Sequence, residues 1–230
     1  MSARPLVIAI DGPAASGKSS TAQWVARQLG IHHVDSGALY RALTALALER
    51  NADPVSWTAV DALAGSGRIT MTPGERTFIP LVDGMRDDDR LRAADVTAGV
   101  SAVARIPEAR SWVNEQVRAA ARTTTVVVDG RDIGTAVFPD ATLKIFLVAD
   151  PWERARRRLR QRLGRAPADN EIAKETELLV RRDAADQMQT VQARDSILLD
   201  TTYLTQADQV SRIVALARAA FGHAEDADGS

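Results

Sequence analysis

The chain has no cysteine, which removes disulfides, thiolate catalysis and thiolate-based zinc sites from consideration. Its three histidines, His32, His33 and His223, show no metal-ligand spacing, so a structural metal centre is not expected. Aromatic residues are scarce, at 4%, and offer little for stacking bases of an extended nucleic acid. The formal net charge is only −1, so no global field gathers nucleic acid or a membrane surface. No apolar run is long enough to span a bilayer. The first such run ends at Asp11, too soon for a signal peptide. These absences lead to an expected cytoplasmic protein with neither nucleic acid nor membrane among its partners; it is also expected to be a monomer that meets small molecules, neither of which the absences decide. A length of 230 residues allows one sizeable α/β domain with a small insertion.

What is present begins at Gly12-Pro13-Ala14-Ala15-Ser16-Gly17-Lys18-Ser19. The spacing G-x-x-x-x-G-K-[ST] is that of a phosphate-binding loop. Such a loop needs a buried strand before it and a helix after it. Leu6-Val7-Ile8-Ala9-Ile10 reads as the strand. Ala22, Val25, Ala26 and Leu29 recur at helical spacing, and Gly30 reads as a C-cap. A glycine-rich turn can match by chance, but not usually between these two elements. In such a loop, backbone N–H groups converge on a triphosphate and the helix N-terminus adds positive character. Lys18 is assigned to the β- and γ-phosphates and Ser19 to Mg²⁺.

Strand-like and helix-like segments then alternate, which predicts a central parallel sheet with crossover helices. The expected strands are Ile31–Val34, Thr125–Val128, Leu143–Val148 and Ile197–Leu199. A helix carries Leu39, Ala42, Leu43, Leu46 and Ala47 on one face. The last helix starts at a Thr205/Asp208 capping box and buries Val210, Ile213, Val214, Ala217 and Phe221. A polar tail, 222–230, is expected to be disordered. Two segments interrupt the alternation. Residues 51–105, rich in Gly and Pro with short β-like pieces, read as an inserted subdomain. Residues 153–190 open on an Arg-rich helix. The core then comprises 5–50, 106–150 and 195–221.

Phosphoryl transfer needs positive charge around the moving group and exclusion of water. Asp150-Pro151-Trp152-Glu153 predicts an N-cap, a first-turn proline and a capping-box glutamate. Arg154, Arg157 and Arg158 follow at i, i+3, i+4 and are expected to share a phosphate-clamping face. A solvated basic helix or a local RNA-binding patch would show the same spacing. Asp129-Gly130-Arg131-Asp132 follows a buried strand and falls at the carboxyl edge of the sheet, where such folds bind ligands. Asp129 could support Mg²⁺ through a water, or simply cap backbone; Arg131 and Asp132 could be a surface ion pair. Asp35 or Ser36 can cap the next helix. Arg41 opposes that helix's dipole, which an acceptor phosphate would explain.

Taken together, the I-D-G-P-x-x-x-G-K-S start, D-S-G-A-L-Y-R and D-G-R-D-I-G-T-A-V-F-P-D-A-x-x-K-I-F-L resemble bacterial cytidylate kinases, over about residues 6–218. The resemblance implies an α/β three-layer P-loop fold. Its parallel five-stranded sheet would carry a nucleoside-monophosphate-binding insertion and an Arg-rich helical lid. It implies phosphorylation of CMP and dCMP by ATP with Mg²⁺. It places ATP on Gly12, Pro13, Ala14, Ala15, Ser16, Gly17, Lys18, Ser19 and Ser20. Arg41 and Arg131 would grip the CMP phosphate, with Ser36 nearby. Ser101, Arg110 and Asp132 would read cytosine. Arg182 and Asp186 would lie by the acceptor sugar, and Arg154, Arg157 and Arg158 would close over the transferring phosphoryl. One position departs: where the family commonly has D-x-x-R, this chain has Gln189, and Arg194 in the following loop is a candidate to reach in, which sequence alone does not decide. An amide cannot replace a charged bidentate contact, so weaker acceptor binding is expected. Two other readings stay open: a P-loop kinase for UMP, AMP or a small metabolite, and a nucleotide- or RNA-binding module without catalysis.

Overall fold

The structure is a computed structural model that describes residues 5–50 and 64–228. Five strands form one parallel sheet in the order β2-β5-β1-β6-β7. They are β1 (Val7–Asp11), β2 (His32–Asp35), β5 (Val126–Asp129), β6 (Leu143–Val148) and β7 (Ile197–Asp200). The expected sheet is therefore present, each strand within one residue or so of its predicted bounds. The period of two along β1 divides the core. Val7 and Ala9 pack on one face with Leu39, Leu43 and Val113. Ile8 and Ile10 pack on the other with Val25, Val210 and Ile213. Both faces of the inner strands β1, β5 and β6 are covered, which is why they read as continuous apolar runs, whereas the edge strand β7 is largely exposed.

Helix α1 (Lys18–Leu29) closes on Gly30 in the left-handed region, as the sequence predicts. Helix α2 (Ser36–Glu49) is capped by Asp35, whose Oδ1 accepts from the Ala38 N–H at 3.0 Å. Of the expected insertion, 51–63 lie outside the described residues. The remainder holds an antiparallel hairpin, β3 (Ile69–Pro73) and β4 (Phe78–Val82), with α3 (Asp88–Leu91) and α4 (Ala94–Val103). The chain returns to the sheet through α5 (Pro107–Ala120).

The Arg-rich segment forms α6 (Pro151–Leu163) and α7 (Asp169–Asp186), followed by a 3₁₀ turn, Gln187–Gln189. Asp150 caps α6 by accepting from the Trp152 and Glu153 N–H groups. The capping box is only half built: the Asp150 N–H donates to Thr202 Oγ1, while Glu153 pairs with Arg156. Helix α8 (Gln206–Asp228) opens on the predicted Thr205/Asp208 box, with both backbone N–H groups accepted reciprocally. It does not stop at Gly222 but runs on to Asp228, against the expected disordered tail. One glycine costs only about 1 kcal/mol in a helix that long, and the Ala-containing segment beyond it lets the helix propagate. Gly229 and Ser230 lie outside the described residues. Among the described residues, no helix is long and apolar enough to cross a membrane.

Candidate active site

The parallel sheet delivers β1, β2 and β5 to one edge, so their C-terminal residues meet there although they are distant in sequence. The loop after β1 is held tightly. Gly12 has φ +146°, and a Cβ there would sit 2.1 Å from the Leu147 carbonyl oxygen, so only glycine fits. Ala15 is also left-handed, at φ 57°. Lys18 is buried beneath the loop, its Nζ donating to the Pro13 carbonyl at 2.7 Å. Burial, helped by the positive charge of Arg131, lowers its pKa to about 7 in spite of Asp129, Asp11 and Asp35.

Ser19 lies in the first turn of α1 and donates its hydroxyl to Asp129 Oδ2 at 2.5 Å. The other oxygen of Asp129 lies 2.6 Å from His33 Nε2. Burial works against the Asp129 charge, yet His33, Ser19 and Lys18 together hold its pKa below the usual carboxylate range. The same contact acts on His33. Burial disfavours its charged form, but the bond to Asp129 and the charges of Asp129 and Asp35 outweigh it and leave the pKa raised. Asp129 is thus no simple backbone cap, and its histidine partner, His33, is a contact that sequence reading did not find. Ser19 and Asp129 offer hard oxygen donors, which suit Mg²⁺ held by few protein groups. No group of three or more His, Cys, Asp or Glu side chains that could hold a metal lies among the described residues.

Asp11, at the end of β1, accepts from the Ile133 and Gly134 N–H groups, both at 2.8 Å. Burial raises its pKa to about 6, against the lowering effect of those two bonds. It ties the 129–134 loop to the P-loop strand. Sequence reading passed over it. Across that loop, Arg131 and Asp132 do not pair with each other. Arg131 donates to the Gly12 carbonyl and to Asp186 Oδ2, each at 3.2 Å. Asp132 accepts from Arg110, which also donates to the Ala104 carbonyl at 3.2 Å. Burial raises the Asp132 pKa in spite of Arg110. Tyr40 stands near both, its phenol pushed up to about 12 mainly by burial. Ser101 lies on α4, partly exposed. Ser36 donates to the Asp129 carbonyl at 2.7 Å, and Arg41 pairs with Asp35 at 2.9 Å.

Arg182 sits beside Asp186, Nε to Oδ2 at 3.7 Å. Burial and the charges of Arg131, Arg158 and Arg41 lower its pKa against the opposing charge of Asp186. The Nε atoms of Arg131 and Arg182 are buried without a hydrogen-bond partner. Buried cationic donors left without a partner favour an anion.

The three arginines expected to share a clamp are separated instead. Arg154 is 4% exposed and turned under the P-loop, donating to the Ala14 carbonyl at 2.7 Å and pairing with Asp183 at 2.7 Å. Asp183 Oδ1 also accepts from the Ala14 N–H at 3.1 Å. Arg157 donates to the Thr201 and Thr202 carbonyls. Arg158 pairs with the buried Glu175 of α7 at 3.2 Å. Spacing fixes which way a side chain leaves a helix, but not the neighbour it finds. A cavity of about 820 Å³ lies off the P-loop, between α6, the 164–167 turn and residues 202–205. Gln189 lies in the 3₁₀ turn. Arg194 stands exposed without a hydrogen-bond or ion-pair partner among the described residues.

A family profile described as "Cytidylate kinase" matches residues 8–219. The chain belongs to the cytidylate kinase family. Its curated relatives include the cytidylate kinase of Desulfitobacterium hafniense (strain Y51), 43% identical over 217 residues and 92% of each chain. That of Streptomyces avermitilis is 39% identical over 217 residues, again 92% of each chain. Among solved structures, an uncharacterized protein from Eubacterium ventriosum ATCC 27560 superposes with a TM-score of 0.50 at 12% identity. It covers 92% of this chain and 97% of its own, a likeness of fold alone. Membership makes the chain a nucleotide-dependent phosphotransferase.

Proposed function

We propose that the protein transfers the γ-phosphoryl group of ATP to CMP and dCMP. The observation that carries this reading is the Arg110–Asp132 pair beside Tyr40, within reach of the Arg131/Arg182/Asp186 cluster. Cytosine presents an N4 amino donor beside acceptors at N3 and O2. Asp132 accepts from N4 while Arg110 donates to N3 or O2. Uracil would set a carbonyl oxygen against Asp132 and an N3 proton against Arg110. Unmet groups of this kind in a desolvated pocket discriminate by about 10⁴-fold or more.

In this reading the ATP phosphates lie on residues 12–20, and the donor nucleoside takes the cavity beside Arg157, whose size suits a small-molecule site. Lys18 neutralises the β- and γ-phosphates. Arg131 and Arg182 bind the acceptor phosphate through their unmet donors, with Arg41 alongside. Arg158 reaches the transferring group by leaving Glu175, while Arg154 holds the P-loop in shape. Ser19, with Asp129 behind it, would hold Mg²⁺, which when bound supplies charge neutralisation at the phosphates. No strong general base is needed, because the acceptor oxygen is already anionic. Gln189 leaves Arg131, Arg182 and Arg41 to carry the acceptor charge. The protein acts as a monomer in the cytoplasm.

The test is ADP release with Mg·ATP and CMP, dCMP, UMP or AMP. Turnover favouring CMP and dCMP is expected. Asp132→Asn, which cannot accept from N4 as a charged group, should cut the CMP/UMP ratio by roughly 10–100-fold. Equal rates on CMP and UMP in the parent would discard the base-pocket argument.

A further inference from the structure

His33 is entirely buried, and its imidazole has one polar contact, to Asp129 Oδ1. Its Nδ1 atom is buried without a hydrogen-bond partner. A ring that merely filled this part of the core would be better replaced by an apolar one, because an unmet buried polar atom costs free energy. The contact to Asp129 is what the imidazole supplies. We propose that His33 is a positioning residue for the Ser19–Asp129 pair. Its Nε2–H fixes the Asp129 carboxylate so that Oδ2 faces the Ser19 hydroxyl. The inference rests on the reading of Ser19 and Asp129 as the Mg²⁺ site.

The sheet makes the arrangement rigid. In the parallel register of β2 with β5, His33 stands opposite Val127 and Asp35 opposite Asp129. Residues 33, 35, 127 and 129 therefore share one face, the face covered by α1. Asp129 is then gripped from both sides, by His33 on one oxygen and Ser19 on the other. Because the hydroxyl gives its proton to Asp129, its lone pairs are left for a cation. Removing the imidazole frees the carboxylate to rotate away from Ser19. The backbone of His33 is anchored as well. Its N–H donates to the Arg76 carbonyl at 2.9 Å, and it bridges to Thr77 of the β3–β4 hairpin. The residue that orients Asp129 thus also helps to seat the insertion.

Variants that differ in where they place a donor test this. Gln sets its amide nitrogen close to the position of imidazole Nε2; Asn ends near Nδ1 and falls short of Asp129; Leu donates nothing. Mn²⁺ binding to the ADP-saturated protein is read from the electron paramagnetic resonance signal of free Mn²⁺. Mg²⁺ half-saturation and KM for CMP are read from turnover. His33→Leu and His33→Asn should weaken Mn²⁺ binding about tenfold and raise the Mg²⁺ requirement alike, as loss of such outer partners does. KM for CMP should stay unchanged, and His33→Gln should remain within about twofold of the parent. Parent-like Mn²⁺ binding in His33→Leu overturns the inference. So does a His33→Gln variant as impaired as His33→Leu, which would mark a packing role. If the leucine variant fails to fold, the Gln and Asn pair decides. Asp129→Asn is the control. If it binds Mn²⁺ normally, the metal reading falls and the inference with it; if it binds weakly while His33→Leu does not, only the inference falls.

Discussion

Arg154→Met should destabilise the protein far more than Arg158→Ala, although the two arginines are one helical turn apart. Arg154 is 4% exposed and meets two carbonyls, Ala14 and Ala149, and the Asp183 carboxylate. Methionine keeps much of the side-chain bulk but leaves Asp183 without its cation and two carbonyl oxygens short of a donor. Breaking a buried pair from one side costs about 3–5 kcal/mol. Asp183 is a quarter exposed, so water recovers part of that, and about 3 kcal/mol is the reasonable figure. For a chain of this length that corresponds to a fall in Tm of roughly 6–12 °C. The Arg158–Glu175 pair is more exposed on the arginine side, and Arg162 remains 3.4 Å from the same carboxylate. Its loss should cost about 1 kcal/mol or less. The assay is thermal unfolding followed by circular dichroism, with urea midpoints as a second measure. A cycle with Asp183→Asn isolates the pair and should return a coupling of about 2 kcal/mol. Because Asp183 and Arg154 hold the N–H and carbonyl of Ala14 respectively, KM for ATP should rise as well. A Tm for Arg154→Met within about 2 °C of the parent would refute the assignment of this arginine to P-loop support.

Gly12→Ala should lose nucleotide binding and stability together, since the new Cβ would overlap the Leu147 carbonyl; a parent-like melting curve would contradict the loop geometry. Lys18 titrates near pH 7 in the folded chain against about 10.5 when unfolded. Its burial therefore costs stability below pH 7, and that cost fades as pH rises toward 10.5. Bound polyphosphate restores the ammonium, so Mg·ADP binding at pH 8 should take up close to one proton, at roughly 0.9. Calorimetry in buffers of different ionisation enthalpy reads this number. No uptake would place the Lys18 pKa well above 8, and Lys18→Arg should abolish it. Gln189→Arg should lower KM for CMP by about tenfold by returning a charge-assisted contact. An unchanged KM would show that Arg131 and Arg182 already saturate the acceptor phosphate.

Local signals in the chain decided a good deal. The P-loop spacing, the left-handed Gly30 cap, the Asp35 and Asp150 caps, the Thr205/Asp208 box and the buried strands all depend on residues within a few positions of each other. Backbone geometry at that range follows from side-chain type, so the α/β class and the sheet edge holding the site were readable without coordinates. Partnerships across the fold were not. Arg154, Arg157 and Arg158 have the right spacing for one face, yet they end at the P-loop, at the carbonyls after β7 and at Glu175. Arg131 and Asp132, adjacent in sequence, turn to Asp186 and Arg110. His33 became part of the site only because the register of β2 on β5 sets it beside a carboxylate 96 positions along the chain. Sequence fixes the direction in which a side chain leaves its own element. Which charge or donor waits there is settled by packing between elements, and that only the tertiary structure decides.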